Sequence, residues 1–320
     1  MLTYFLMLLA LSTTCVVGIY HRCPPKENIH PCTCDKINDH VQILCNGLTF
    51  KEIKNIFFKA KHLNEYDVNE LFILNSSNLQ LSRDLFRELN IYRLKIVNSI
   101  IANFDLFGAF IGLQEIFSGI IIKNCTLQNI NFTTGNMFHR MRFLIFEQTK
   151  VTDVITTNMA SLFPKSLRKI TLSSSTQNGI SKIEDKSFSR FSLITILDLS
   201  YNQISSIRRS IFPNPAKRLQ DLNLAYNNIQ FLPDDIFEQM PYLEFLNLSY
   251  NKMKSLSVST FLKVWNQLHH ANLTGITLEC DCSSVWLIRH RRPELFEPPT
   301  CKSSSKPITE MEIRKICNAK

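Results

Sequence analysis

Three stretches of the chain repeat one pattern: residues 197–204 read LDLSYNQI, residues 222–229 read LNLAYNNI and residues 246–253 read LNLSYNKM. Their asparagines at the sixth position are 25 and then 24 residues apart. Each stretch is followed by an apolar residue and then by a phenylalanine at a fixed distance. A period of this length predicts a solenoid, in which each unit buries its apolar face against its neighbours.

Each position of the pattern has a physical reading. The two leucines alternate with one residue between them, which predicts a short strand with both leucines pointing inward. The asparagine stands where the chain leaves the strand, and its amide can bond backbone groups that a buried turn leaves unpaired. Phe212, Phe237 and Phe261 are expected to fill the core beneath the opposite wall. Stacked copies predict a parallel sheet over one continuous core.

Weaker copies of the pattern extend the repeat in both directions. Residues 51–276 hold about nine copies of roughly 22–27 residues each. Cys125 takes the turn position that other copies give to Asn, Ser or Thr, so it is either a packed turn residue or a reactive thiol. The weaker copies are centred on Phe72-x-Leu74, Leu94-x-Ile96, Ile120-x-Ile122, Leu144-x-Phe146, Ile170-x-Leu172 and Leu268 to Leu273.

Cysteines cluster at the two ends of the repeat region. The first block is spaced Cx8CxCx10C and the second CxCx18Cx15C. The terminal repeats of a solenoid need a cover, so we expect a cysteine-rich N-cap at residues 19–50 and a C-cap at residues 277–320. Structural zinc prefers two to four residues between paired ligands, whereas the close pairs Cys32-x-Cys34 and Cys280-x-Cys282 have one. We therefore expect disulfides and no metal. Sequence alone leaves several pairings open.

The first 18 residues, MLTYFLMLLALSTTCVVG, predict a secretory signal peptide. They are uncharged, carry a short apolar run and end in small residues. An uncleaved anchor is the alternative. The C-terminal residues are polar, so we expect no membrane anchor there, and we expect a secreted, extracellular protein.

The repeats and both cysteine blocks together resemble extracellular leucine-rich repeat proteins with cysteine-rich caps. The resemblance implies an α/β leucine-rich repeat solenoid, a curved horseshoe with a parallel concave sheet and an irregular or short-helical convex side. It extends to Toll- and Slit-type ectodomains and to small secreted arthropod proteins, among them the non-catalytic subunit of a shrimp luciferase. It implies a binding role without chemistry, and the disulfide pairs Cys23–Cys34, Cys32–Cys45, Cys280–Cys301 and Cys282–Cys317.

Composition and motifs agree with a binding protein. A hydrophobic content of 45% excludes a disordered chain, and 8 glycines with 12 prolines exclude a collagen-like one. The chain has no GxGxxG, P-loop or HExxH motif. His269 and His270 form an adjacent pair without an acidic ligand nearby in sequence, and a solvated edge is the expected reading. We therefore expect no enzyme activity and no cofactor.

Charges at the concave positions predict where a partner binds. The net charge is +9, and the N-terminal half of the concave face carries more bases than acids, with Glu147 as the acid we identify there. The C-terminal half carries Asp198, Asp221, Asn223 and Asn247. An acidic protein ligand or partner subunit is expected to dock on the N-terminal half, with ordinary solvated charge as the alternative. The candidate partner-binding residues are Arg93, Lys95, Lys123 and Lys169.

Two further features concern the surface. Tyr201, Tyr226 and Tyr250 recur before the turn asparagine, as a scaffold element or an aromatic binding stripe. Glycans on the two sequons at concave positions, Asn247 and Asn272, would cover the C-terminal half and leave the N-terminal half open. The glycosylation sequons are Asn75, Asn124, Asn131, Asn247 and Asn272.

A second basic patch lies in the expected C-cap, at Arg289, Arg291 and Arg292. It could bind sulfated glycans, which gives an alternative function as a matrix or glycan-binding protein, or it could be a solvated helix face. A soluble innate-immune recognition protein is a third reading. Nucleic acid is not expected as a partner in this compartment.

Overall fold

The computed structural model describes residues 22–59, 63–87, 89–174, 179–309 and Cys317. The predicted signal peptide, residues 1–18, lies outside these residues. Among the described residues, no helix reaches the length and apolar character that crossing a membrane requires.

One sheet of twelve strands runs along the molecule, and its strand order follows the chain. The first two strands pair antiparallel as a hairpin, and every later pair is parallel. We call it the concave sheet and its solvent-facing surface the concave face. Its strands are Thr33–Ile37, His40–Asn46, Asp67–Leu74, Asn90–Val97, Gly119–Lys123, Phe143–Glu147, Lys169–Leu172, Ile196–Asp198, Asp221–Asn223, Phe245–Asn247, His270–Asn272 and Leu295–Glu297.

The alternation of apolar residues sets which face of this sheet is buried. Leu197 pairs with Leu222 and Leu222 with Leu246, and all three side chains point into the core. Phe212, Phe237 and Phe261 are buried as predicted. The sheet therefore covers one continuous core along the solenoid.

The predicted register of the first repeat is wrong by one residue. Leu71 and Ile73 point inward and are fully buried, because they pair with Leu94 and Ile96. The predicted pair, Phe72 and Leu74, is half-buried on the concave face. Residues 71–74 are all apolar, so their pattern could not distinguish the two faces.

The opposite, convex wall is more regular than we expected in the N-terminal repeats. A second parallel sheet of three strands lies there, formed by Leu79–Leu81, Ile100–Leu106 and Thr126–Phe132. Two-stranded parallel pairs join Val154–Ile155 to Lys182–Ile183 and Thr277–Leu278 to Thr300–Cys301. The α-helices are Lys26–Ile29, Phe50–Lys59, Thr157–Ser161, Val258–Trp265 and Trp286–Arg289, and the 3-10 helices are Leu63–Glu65, Gly108–Phe110, Arg209–Ile211 and Cys282–Val285.

Both ends of the solenoid carry disulfide-bonded caps. The N-cap adds the antiparallel hairpin to the sheet, and the C-cap adds the strand Leu295–Glu297 beside His270–Asn272. Trp286 of the C-cap is buried against Trp265, with ring centroids 5.0 Å apart, and its Nε1 donates to the Leu256 carbonyl at 3.1 Å. The disulfides join Cys23 to Cys34, Cys32 to Cys45, Cys280 to Cys301, and Cys282 to Cys317.

A row of buried polar side chains closes the turns behind the concave sheet, and its chemistry changes along the molecule. In the C-terminal repeats the row consists of Asn202, Asn227 and Asn251. Asn227 Oδ1 accepts from the Ile204 amide at 3.0 Å, and its Nδ2 donates to three backbone carbonyls at 2.9–3.2 Å. In the N-terminal repeats the row consists of smaller groups, at Ser76, Ser99, Cys125 and Thr149.

Cys125 belongs to this row as a packed residue. Its amide donates to Thr149 Oγ1 at 3.1 Å, and its thiol donates to the Lys123 carbonyl at 3.2 Å. Burial raises the pKa of the Cys125 thiol, and the thiol carries no disulfide. A buried thiol with a raised pKa is a poor nucleophile, which favours the packed reading over the reactive one.

Candidate functional site: the concave face

A depression of about 740 Å³ lies on the concave face near the middle of the solenoid. Lys95, Lys123 and Lys169 lie on its walls, so the depression contains three of the four predicted partner-binding residues. The aliphatic side chains of Ile121 and Ile145 also line it. The depression therefore combines an apolar floor with charged walls.

Ion pairs within the concave face reduce the predicted basic character of its N-terminal half. Arg93 Nη1 lies 3.2 Å from Glu70 Oε1, and Lys123 Nζ lies 2.8 Å from Glu147 Oε1. We missed Glu70 as a concave residue because the first repeat was read out of register. Two of the four predicted bases thus have an acidic neighbour.

The two remaining bases are arranged differently. Lys95 Nζ lies 5.5 Å from the centre of the Phe72 ring, within range of a cation–π interaction. Among the described residues, no acid lies within ion-pair distance of Lys95 or Lys169. Positive charge that can meet a ligand is therefore concentrated on these two lysines.

Acids and amides form the other side of the depression. Asp198 Oδ1 accepts from the Ser200 amide at 2.9 Å, and Asn223 makes the equivalent bond to the Ala225 amide at 3.1 Å. Burial raises the pKa of Asp221, and the neighbouring charge of Asp198 raises it further. The raised pKa favours the neutral form of Asp221, so the predicted mildly acidic or neutral character of the C-terminal half remains a prediction.

A column of residues, most of them with positive φ, follows the strand ends of the concave sheet. In the N-terminal repeats it is an asparagine ladder, in which Asn98 donates from Nδ2 to Asn75 Oδ1 and Asn124 donates to Asn98 Oδ1. Asn75 Nδ2 donates to Asn46 Oδ1, one residue before the column position at Gly47. Asparagine tolerates this left-handed conformation better than most residues. In the next repeat the position is Gln148, also with positive φ.

The same column becomes a tyrosine ladder in the C-terminal repeats. The rings of Tyr201, Tyr226 and Tyr250 are stacked with centroids 4.3 Å apart and interplanar angles of 9° and 12°. Their exposed fractions are 51%, 38% and 48%. The hydrogen bond that the Tyr250 hydroxyl donates to Tyr226 raises the pKa of Tyr250, because it stabilises the neutral form.

The predicted sequons fall in three settings. Asn75 and Asn124 are exposed rungs of the asparagine ladder, and Asn131 is exposed on the convex sheet. Asn247 and Asn272 are half-buried on the concave face, where each Oδ1 accepts from the amide two residues later, at 3.1 and 2.9 Å. All five remain predicted glycan sites, and the last two lie on the C-terminal half of the concave face.

The second basic patch and the histidine pair lie at the C-terminal end. Arg289, Arg291 and Arg292 are exposed in the C-cap. His270 Nε2 lies 3.1 Å from Glu297 Oε1, and His269 Nδ1 lies 3.8 Å from an oxygen of Glu294, both acids supplied by the C-cap. Within the described ranges, no group of three or more His, Cys, Asp or Glu side chains could hold a metal ion.

The chain resembles known proteins at the level of its fold. A family described as "Leucine rich repeat" matches residues 217–264. The chain is similar to TLR13 in a crystal structure of the TLR13–ssRNA13 complex, at 21% identity and a TM-score of 0.60 over 73% of this chain. The match covers 32% of the TLR13 chain, so this chain spans about a third of that length.

A second similar structure covers nearly the whole chain. It belongs to an octameric complex of Latrophilin 3, Unc5D and FLRT2, in which the FLRT2 part is its LRR region. The identity is 14% and the TM-score 0.57, over 92% of this chain and 95% of that chain. No curated protein matches the chain. Repeat pattern, parallel sheet, terminal disulfides and these likenesses lead to one conclusion: the protein has the fold of a leucine-rich repeat solenoid with a cysteine cap at each end.

Proposed function

We propose that this chain is an extracellular recognition protein, without chemistry of its own, that binds a segment of a partner protein on its concave face. The partner is a protein ligand or a subunit that this chain accompanies. Extracellular location is supported by the four disulfides and by the apolar N-terminal sequence. A soluble pattern-recognition role would be one form of the same binding function.

The depression at the centre of the concave sheet carries this proposal. It offers a concavity of about 740 Å³ in which Ile121 and Ile145 provide apolar contact and Lys95 and Lys169 provide charge. An apolar centre with polar walls is the composition expected of a protein interface. The parallel sheet beneath holds the lining residues in a fixed register, which lowers the ordering cost of binding.

Affinity capture from the native extracellular fluid, with mass spectrometry of the bound material, tests the proposal. A stoichiometric protein should be retained by the wild type and lost with the double substitution Lys95→Glu and Lys169→Glu. The matched control, Lys217→Glu with Lys252→Glu, changes the net charge equally at exposed sites outside the depression and should retain the partner. Equal retention by both variants would contradict binding at the depression.

A second candidate function is favoured by the exposed arginines of the C-cap. Arg289, Arg291 and Arg292 could bind sulfated glycans, whose charge they would neutralise. In that case heparin should retain the protein until moderate salt is applied, and replacing the three arginines with serine should move elution to clearly lower salt. Unchanged elution of the triple variant would exclude this patch as a polyanion site.

A further inference from the structure

The two ends of the tyrosine ladder differ. At one end, Gly275 occupies the same column position and lies flat against the Tyr250 ring, since a Cβ built on Gly275 would lie 2.6 Å from Tyr250 Cδ1. At the other end, the position next to Tyr201 is Ser174, whose amide donates to the Tyr201 carbonyl. Ser174 is small and buried, so it does not provide a ring to continue the stack.

The open end of the ladder faces the depression. Tyr226 covers one face of the Tyr201 ring at 4.3 Å, yet half of the Tyr201 side chain is exposed. Tyr201 also lines the depression, together with Gln148 and Ser174, the two preceding positions of the column. Among the described residues, no second ring stacks on Tyr201, so the missing rung of the ladder opens toward the candidate binding site.

Charge around this space favours an acidic ligand. Lys123 forms an ion pair with Glu147, and Asp198 accepts a hydrogen bond from the Ser200 amide. Lys95 and Lys169 are left to meet negative groups of a ligand, although Lys169 also acts on Asp221, whose pKa it lowers. A planar group in the missing rung would thus share the depression with these two lysines.

We propose that the bound partner segment inserts an aromatic side chain as the fourth rung, stacked on Tyr201, with acidic residues beside it that meet Lys95 and Lys169. The inference rests on the proposed function and names the chemistry of the segment that is bound. Parallel offset stacking on Tyr201 would extend the geometry that the ladder already has.

Synthetic peptides and two matched variants test the inference. The probes are the peptide Asp-Glu-Asp-Tyr-Asp-Glu-Asp, the same peptide with leucine at its centre, and a chitin tetrasaccharide, each titrated calorimetrically into the full secreted chain. Tyr201→Asn removes the open ring face and keeps a residue that the same column uses at Asn75, Asn98 and Asn124. Tyr250→Asn makes the same change at the closed end of the ladder.

The tyrosine peptide should bind the wild type about five- to tenfold more tightly than the leucine peptide. Tyr201→Asn should abolish this preference, whereas Tyr250→Asn should leave it within about twofold of the wild type. Equal binding of both peptides, equal loss in both variants, binding of the tetrasaccharide alone, or no peptide binding at millimolar concentration would overturn the inference.

Failure of this inference can be distinguished from failure of the proposed function. A captured partner that Lys95→Glu with Lys169→Glu releases, but Tyr201→Asn does not, would leave recognition at the depression standing and remove the aromatic rung. A partner that neither variant releases would contradict both.

Discussion

At the scale of single residues, the buried asparagine row shows how one side chain stabilises two repeats at once. Asn227 accepts from Ile204 in the preceding repeat and donates to Leu199 of that repeat and to Leu224 and Ala225 of its own. These four backbone groups lie where two adjacent repeats leave their strands, and water would otherwise have to satisfy them. The side chain therefore replaces solvent inside the wall of the solenoid.

Replacing Asn227 with alanine should lower the free energy of unfolding by about 2–4 kcal/mol, because buried backbone groups lose their partners. Asn228→Ala is the matched control, since the adjacent side chain is only half-buried; it should change the value by less than about 0.5 kcal/mol. Urea unfolding followed by circular dichroism measures both. Equal losses of unfolding free energy in the two variants would show that the Asn227 hydrogen bonds are not the cause of the destabilisation.

Residue-scale prediction from sequence succeeded where the side-chain type was distinctive. The turn asparagines and core phenylalanines stand out because polar and aromatic residues recur at fixed spacing. The inward pair of the first repeat did not stand out, since Leu71 and Phe72 are equally apolar. That one-residue error hid Glu70, and with it the ion pair to Arg93.

At the scale of elements, neighbouring strands place like charges side by side. Asp198 and Asp221 come from adjacent strands, and the pKa of Asp221 is raised by burial and then by Asp198. A carboxyl whose pKa is raised on folding contributes stability below its unfolded-state pKa, and that contribution is lost as the pH rises through the folded-state pKa. The pair therefore weakens the fold at neutral pH.

Asp198→Asn should raise the free energy of unfolding at neutral pH by less than about 1 kcal/mol, with the gain disappearing at strongly acidic pH. The asparagine can keep the bond to the Ser200 amide, as Asn223 does to the Ala225 amide. Asp35→Asn, at an exposed site on the edge strand, is the control and should have little effect. Unfolding measured across acidic and neutral pH checks this, and a gain that persisted in acid would refute the charge explanation.

Element types were predictable only where the period was clean. The LxL strands of the C-terminal repeats follow from the sequence, whereas the second sheet at Ile100–Leu106 and Thr126–Phe132 does not. Those segments carry Asn and Asp among their apolar residues, so their alternation is masked. The sequence predicted a basic N-terminal half of the concave face but no depression, because the aliphatic floor at Ile121 and Ile145 carries no charge that would distinguish it from core residues.

At the scale of the whole molecule, each repeat contacts mainly its neighbours. A substitution that destabilises one repeat should therefore affect adjacent repeats more than distant ones. The caps protect the two ends of the core, where no further repeat can do so. The disulfide Cys280–Cys301 links residues 21 apart within the C-cap, next to the strand His270–Asn272.

Replacing Cys280 and Cys301 with serine should destabilise the C-terminal end by about 2–5 kcal/mol. Hydrogen exchange should quicken in the strands His270–Asn272 and Phe245–Asn247 and remain unchanged in Asn90–Val97. The corresponding N-cap variant, Cys23→Ser with Cys34→Ser, should show faster hydrogen exchange in the N-terminal strands and unchanged exchange in the C-terminal strands. Uniform loss of protection in both variants would indicate a single cooperative unit.

The buried row changes from hydroxyl and thiol groups to asparagines between Thr149 and Asn202, and the depression spans the same stretch. The candidate binding site thus lies where two kinds of repeat meet. Duplicating residues 222–245 would move the C-cap outward by one strand spacing, about 4.8 Å, without changing the stretch where they meet. The span of the molecule and the selectivity of its site can therefore be altered independently.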